Sequence, residues 1–402
     1  MNYKTSVKSI GLQNFLSYGP RSIEIEFGSL NVLIGPNASG KSNFIEALQV
    51  LQALPHDLPK AISRSGGIHS LLWKGTSGGN VAELQVAVHN SELGVTYRHL
   101  IGLCEVAPRL EIAAETITQL DSQGKELSFY LNNGSQHFIR VQTESDEKVQ
   151  RPGISLVRKV SPDGFKREYS ILAQRSDPDQ FPVLTKLSDI YKGFRIYSDL
   201  SVARGTPIRM PQPTDLEADF LSSNAENLAL VLSSLMNNPV VKQRILKELR
   251  RFVERASDII VHVSYGTAQL YLEEEGLRAN IPATRISDGT LRYLCLLAIL
   301  CHPSPPPLIC IEEPEVGLHP DMIRSVAELL IDASTSTQLV ITTHSDLLVS
   351  ALSEVPEAII VCERDENGTQ LKRLDPEMMR EWLERYTLGE LWLKGEIGGT
   401  RW

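Results

Sequence analysis

Gly35-Pro36-Asn37-Ala38-Ser39-Gly40-Lys41-Ser42 follows the apolar run Leu30–Ile34 and opens a segment, 41–53, in which Phe44, Ile45 and Leu48 recur at helical spacing. Strand, glycine-rich turn and helix in that order are the setting for a phosphate-binding loop of the pattern G-x-x-x-x-G-K-[ST]. Glycines let the backbone curl so that successive N–H groups face one anion, and the helix start adds its positive dipole end. Lys41 can reach β- and γ-phosphates, and the Ser42 hydroxyl suits a Mg²⁺ ion carried in with them. With Asn43, the candidate nucleotide-binding set runs Gly35, Pro36, Asn37, Ala38, Ser39, Gly40, Lys41, Ser42, Asn43. A chance Gly/Ser-rich turn would lack the strand before it and the helix after it.

Outward from this loop the pattern is first β, then helical, then alternating. Val7, Ile10, Leu12 and Phe15 mark one strand, and Ile23, Ile25 and Phe27 alternate with polar residues in the next. Between Ala82 and Leu172 the runs AELQVAVH, VTYRHLIGL, LSFYL, HFIRV, ISLVRKV and REYSILA read as strands of an antiparallel region, with turn signals at Asn133-Gly134 and Asp163-Gly164. Helical spacing follows at Val183, Leu184, Leu187, Ile190 and Tyr191, then over 225–235 and 240–253. After two more strands, DIIVHV and AQLYLEEE, helices at 290–300 and 321–331 alternate with strands at 308–311, 338–341 and 358–361. That alternation implies parallel pairing in a sheet covered on both faces.

Composition excludes several classes. The 402 residues carry 40 Lys+Arg against 49 Asp+Glu, a formal charge of −9, and are 42% hydrophobic. This is an ordinary folded protein. The longest apolar run, Tyr293 to Cys301, is half of what a membrane span needs. The N-terminus lacks the pattern of a secretion signal, so the expected location is cytoplasmic, with no membrane partner. Five cysteines without a C-x-x-C pair, four of them in apolar runs, argue against disulfides or a zinc knuckle, and nine scattered histidines offer no paired ligands. Any metal is expected to arrive with a substrate.

Leu308-Ile309-Cys310-Ile311-Glu312-Glu313 is an apolar strand that delivers two acids at its C-terminal end, the edge where parallel sheets bind ligands. Glu312 is placed to support Mg²⁺, and Glu313 to polarise an attacking water. Ser287-Asp288-Gly289-Thr290 opens a helix, with Ser287 as N-cap and Gly289 leaving room for close backbone approach.

The order of these motifs, followed by a strand ending Thr342-Thr343-His344-Ser345, resembles the ABC-type ATPases. The resemblance implies an α/β P-loop ATPase head: a mixed-sheet N-terminal lobe (1–175), a mainly helical insertion (176–280) and a C-terminal α/β lobe (281–402). It further implies ATP hydrolysis with Mg²⁺, a homodimer in which Ser287 and Gly289 of one subunit complete the partner's ATP site, and His344 as switch histidine beside the catalytic Glu313. The segment 314–320, PEVGLHP, would be the interface loop. SIGLQNFLSYG, IEEPEVGLHP, TTHSD and the tail LGELW through GGTRW narrow the resemblance to stand-alone bacterial ATPases of the RecF/SMC/OLD-like group, AAA_21-like predicted ATPases. In that group a strand-end glutamine senses Mg²⁺, and Gln174 is the matching residue; an aspartate commonly stands where this chain has Glu312. Two features depart from the group. No sustained heptads lie between Lys60 and Ile286, so no coiled-coil arm is expected, and only 58 residues follow His344, too few for an appended nuclease domain.

Double-stranded DNA and a nuclease-like effector protein are the partners this group suggests, in DNA repair or defence against phage. The segment 242–255 carries Lys242, Arg244, Lys247, Arg250, Arg251 and Arg255 beside an apolar stripe, which fits either a solvated helix face or a DNA-facing one. Two other functions stay open at this level. One is the motor subunit of an ABC transporter, disfavoured by the roughly 245 residues between Ser42 and Ser287; the other is a nucleotide-gated scaffold with little turnover.

Overall fold

The computed structural model describes residues 5–75, 79–106, 108–121, 124–134, 137–141, 156–160 (backbone) and 164–399. The chain gathers into two compact units that cut across the three expected segments: residues 1–194, 360–374 and 398–402 form the first, residues 195–359 and 375–397 the second. The division is discontinuous because the strands Ile359–Asp365 and Gly368–Arg373 belong mainly with the N-terminal half, anchored there by Arg373, which donates to the Glu26 carbonyl and Asn31 Oδ1 at 2.6 Å each.

In the first unit an eight-stranded antiparallel sheet runs in the order Ile23–Glu26, Thr5–Gln13, Val81–Asn90, Val95–Val106, Arg109–Leu120, Glu126–Asn132, His137–Val141 and Leu156–Val160. Alternation sets its faces: Ala82, Leu84, Val86 and Val88 are buried while their neighbours are not, and Leu84 lies opposite Ile101. Leu30–Ile34 is different. All five of its residues are buried, as a strand covered on both faces must be, and the helix Lys41–Ala53 follows it with Phe44, Ile45 and Leu48 inside.

Two expectations are corrected here. Arg109–Leu120, LEIAAETITQL with one residue before it, is a full strand that alternation alone leaves unnoticed because Ala and Glu dilute its apolar face. REYSILA is not a strand: Ser170 caps a short helix, Ile171–Gln174, its hydroxyl accepting from Leu172 N–H at 3.1 Å. The cause is Glu115, buried on the missed strand. Its carboxylate accepts from the Ser170 hydroxyl, from Ile171 N–H at 3.0 Å and from His99 Nε2 at 3.1 Å, while His99 Nδ1 meets the Tyr191 hydroxyl at 3.1 Å. Backbone groups that a ladder would have used are spent on a buried side chain, and the network ties the sheet to the helix Pro182–Lys192. Asn133-Gly134 does form a turn, with Gly134 at φ 83°; Asp163 and residues 154–155 lie outside the described residues.

In the second unit Arg195–Tyr197, Leu308–Glu312 and Gln338–Thr342 lie side by side in parallel. Asp288–Leu300, Pro320–Ala333 and Asp346–Ala351 are the helices of this α/β segment. Register places Glu312 opposite Thr342, so the two strands end level and their following loops begin together. Antiparallel strands Ala256–Ser264 and Thr267–Glu274, with helices Leu228–Met236 and Pro239–Phe252, make up the rest, and no helix among the described residues is long and apolar enough to cross a membrane.

Candidate functional site

The loop after Leu30–Ile34 is held tightly. Gly35 has φ 148°, and a Cβ there would stand 2.2 Å from the Cys362 carbonyl oxygen, so only glycine fits. Ala38 sits at φ 63°, a left-handed conformation a non-glycine residue adopts at a cost. Lys41 is buried at the first helical position, and its ammonium donates to the carbonyls of Gly35 at 2.8 Å and Pro36 at 3.0 Å, curling the loop around a positive charge. That ammonium also opposes the burial that pushes the nearby Cys362 thiol up to about 12. Ser39 is buried with no hydrogen-bond partner for its hydroxyl among the described residues. A buried orphan hydroxyl beside a buried ammonium, at a helix start without a side-chain cap, fits a phosphate group. Ser42 is exposed on the first turn.

In the second unit the strand Leu308–Glu312 hands over to Glu313, which takes φ 46° and donates its N–H to the Thr342 carbonyl at 2.9 Å. The chain thus turns sharply at the candidate acid, a place where backbone strain is characteristically kept. Glu313 Oε1 lies 3.8 Å from His344 Nε2, and both side chains are partly open to solvent. Glu315 is more deeply placed; burial pushes its carboxyl above the usual range, opposed by hydrogen bonds from Thr343 and His344 and reinforced by Glu313. Ser287 caps Asp288–Leu300 as expected, its hydroxyl accepting from Thr290 N–H at 3.2 Å while Ser287 itself stays exposed. Gly289 is closely approached: a Cβ would stand 3.0 Å from the Gly317 carbonyl of the loop that follows Glu313. Glycine at 289 therefore serves contact within this chain's own fold.

Residues 30–350 match the family described as "AAA domain, putative AbiEii toxin, Type IV TA system", AAA_21. The chain belongs to the AAA_21 family. It is 21% identical over 361 residues to the ATP/GTP phosphatase of Helicobacter pylori, covering 87% of this chain and 88% of that protein. Over 75 residues, 18% of this chain, it is 44% identical to the Old nuclease of Escherichia phage P2; that match spans 12% of the nuclease. Among solved structures, an SMC head bound to the C-terminal winged-helix domain of ScpA superposes with a TM-score of 0.57 at 15% identity, over 93% of this chain and 99% of that one. An SMC head with an extended coiled coil, bound to the C-terminal domain of ScpA from Pyrococcus furiosus, gives 0.56 at 14% identity, over 94% and 99%. The fold is that of an SMC/ABC-ATPase head.

Not every expected residue of the AAA_21 chain stands where its motif suggested. Gln174 ends the short helix rather than a strand, and its carboxamide accepts from Lys166 N–H at 2.9 Å and donates to the carbonyls of Lys166 at 3.1 Å and Tyr169 at 2.8 Å. A side chain so committed pins its own loop. Among the described residues no group of three or more His, Cys, Asp or Glu could cage a metal. Ser42, on the first turn of Lys41–Ala53, and Glu312, at the end of Leu308–Glu312, each carry a hard oxygen donor.

Several cations of the basic helix Pro239–Phe252 are engaged within its own fold. Lys242 pairs with Asp258 at 2.6 Å, Arg244 with Asp332, Arg251 with Glu248 and Glu328 at 2.9 and 2.7 Å, and Arg250 donates to the carbonyls of Ala256 and Ser257. These contacts favour the solvated-face reading.

Sequence reasoning missed the loop's supports. Thr369, fully buried on Gly368–Arg373, donates to the Ser17 hydroxyl at 2.7 Å or the Ser39 carbonyl at 2.9 Å. Asn43 donates to the same Ser17 oxygen at 2.7 Å, and the Tyr18 hydroxyl donates to the Gly40 carbonyl at 3.1 Å. Removing the hydroxyl in Thr369→Val should destabilise the first unit by about 1–3 kcal/mol, because buried acceptors lose their donor. It should also weaken nucleotide binding, with Thr369→Ser restoring both. Denaturant unfolding and nucleotide titration of the two variants check this; equal behaviour of the two would deny the hydroxyl its role. Arg209, also buried, holds the start of Asp288–Leu300 by donating to the carbonyls of Ala283 and Ile286 and to Asp288.

Proposed function

We propose that this AAA_21 protein binds and hydrolyses ATP with Mg²⁺, dimerises on ATP through composite sites, and works with DNA or a nuclease-like protein in DNA repair or antiviral defence. The observation that carries the nucleotide reading is the loop 35–42: a buried ammonium and an unpartnered buried serine hydroxyl gathered at a helix start that has no side-chain cap. Lys41 and the loop N–H groups bind the phosphates. Ser42 and Glu312 would hold Mg²⁺, which when bound neutralises phosphate charge. Glu313 orients the attacking water and takes its proton, and His344 contacts the same reacting group. Kinship to an ATP/GTP phosphatase over nearly the whole chain supports turnover rather than a silent scaffold, and the Old-nuclease match supports a nucleic-acid setting.

Composite sites make a sharp expectation. Ser287 and Gly289 of one subunit complete the site whose Lys41 belongs to the other, so ATP but not ADP shifts the protein towards dimer. Sedimentation of Glu313→Gln protein with each nucleotide measures this. Ser287→Arg should weaken that dimerisation and spare nucleotide binding by the monomer. Mixed with Lys41→Ala it should regain part of the hydrolysis, since a heterodimer of the two contains one site with both defects and one with neither. A mixture that stays inert while heterodimers demonstrably form would leave Ser287 as a helix cap only.

A further inference from the structure

Glu315 stands two residues beyond Glu313, in the loop leaving Leu308–Glu312, yet its carboxylate turns to the other strand end. Oε1 accepts from the Thr343 hydroxyl and from the backbone N–H of His344 at 3.2 Å. Thr343 is fully buried, and its oxygen in turn accepts from Ser345 N–H at 3.0 Å, while the Ser345 side chain caps the helix Asp346–Ala351. One carboxylate oxygen therefore joins the loop that carries Glu313 to the segment that carries His344, and these two side chains meet at 3.8 Å. The other oxygen, Oε2, is buried and has no partner among the described residues. Leaving a carboxylate oxygen buried and unsatisfied is costly, and a plain loop brace could be had from a serine or a backbone carbonyl without that cost. The expense falls at the junction of two loops whose relative placement decides where the acid and the histidine point.

We propose that Glu315 is a positioning residue for hydrolysis, fastening the Glu313 loop to the His344 segment so that the two side chains approach the reacting phosphate as a fixed pair. The proposal rests on the hydrolysis reading above. A merely structural brace would change stability alone, whereas a positioning residue changes kcat with little change in KM and is rescued by glutamine, whose carboxamide oxygen can keep both accepted bonds.

The test uses the full chain with Glu315→Ala, Glu315→Gln and Thr343→Val. In nucleotide-free protein followed by hydrogen exchange, the His344 amide should exchange about tenfold faster or more in Glu315→Ala and stay within about threefold of wild type in Glu315→Gln. In turnover, Glu315→Ala should lower kcat about tenfold or more with KM within about threefold, Glu315→Gln should recover most of that loss, and Thr343→Val should reproduce part of it. The double variant Glu315→Ala/Thr343→Val should be no worse than Glu315→Ala alone, because both changes cut one link. If Glu315→Ala fails to fold, Glu315→Gln and Thr343→Val carry the comparison through the same His344 amide and the same kcat. Unchanged kcat in folded Glu315→Ala, glutamine as damaging as alanine, or multiplying losses in the double variant would each overturn the proposal. Wild-type protein without turnover would sink the hydrolysis reading itself; turnover that Glu313→Gln removes and Glu315→Ala leaves intact would sink this proposal alone.

Discussion

Lys41→Ala loses nucleotide binding while the protein stays folded. In the nucleotide-free loop the Lys41 ammonium is buried and shared between two backbone carbonyls, at 2.8 and 3.0 Å. A phosphate entering the curl finds that charge already in place and free of most of its water. Removing one partner of a buried charge pair costs about 2–5 kcal/mol, so affinity should fall roughly 30-fold or more. The alanine variant also leaves the Gly35 and Pro36 carbonyls without their donor. A loss of about 1 kcal/mol in the stability of the free protein should accompany the loss of binding. Calorimetric titration with ATP and denaturant unfolding without it separate the two effects. A folded Lys41→Ala protein that binds ATP as the wild type does would remove the loop 35–42 from the nucleotide site.

Glu313→Gln is expected to slow hydrolysis about 10²- to 10⁴-fold, the range for loss of a general base, and to leave ATP affinity within a few-fold of wild type. The amide keeps the shape of the carboxylate, and the backbone at φ 46°, tied to the Thr342 carbonyl, has no reason to move. ATP-bound protein should accumulate, visible in single-turnover experiments as bound nucleotide that is not converted. Hydrolysis at the wild-type rate would place the catalytic acid elsewhere. Glu315 is poorly suited to replace it, because Oε1 already serves Thr343 and His344; Glu312, at the end of its strand, would be the next residue to change.

The supports found around the loop bear on how such variants are read. Ser17, Tyr18, Asn43 and Thr369 form a hydrogen-bonded collar under residues 39 and 40, so a change at any of them is expected to shift the loop backbone. Reduced ATP affinity in those variants signals a deformed loop. Loss through Lys41 signals missing charge.

Local spacing was enough to recognise the glycine-rich loop, its strand and its helix, since glycine placement, an apolar run of five and a 3.6-residue period are all written within twenty consecutive residues. The strand ending in Glu312 and Glu313, the cap at Ser287 and the parallel α/β order were legible for the same reason. Other features depended on residues far apart in the chain. Thr369 reaches Ser39 across 330 positions, Glu115 turns the end of REYSILA from strand to helix across 55, and Glu315 finds His344 across 29. Gln174, read as a metal sensor from its motif, was claimed by its own loop, and Lys242, Arg244 and Arg251 of Pro239–Phe252 by acids on neighbouring elements. Periodicity records which side of an element meets the core, because burial of apolar area is roughly additive along the chain. It does not record which buried donor meets which buried acceptor, since that pairing depends on directional bonds of about 3 Å that exist only once the elements are packed.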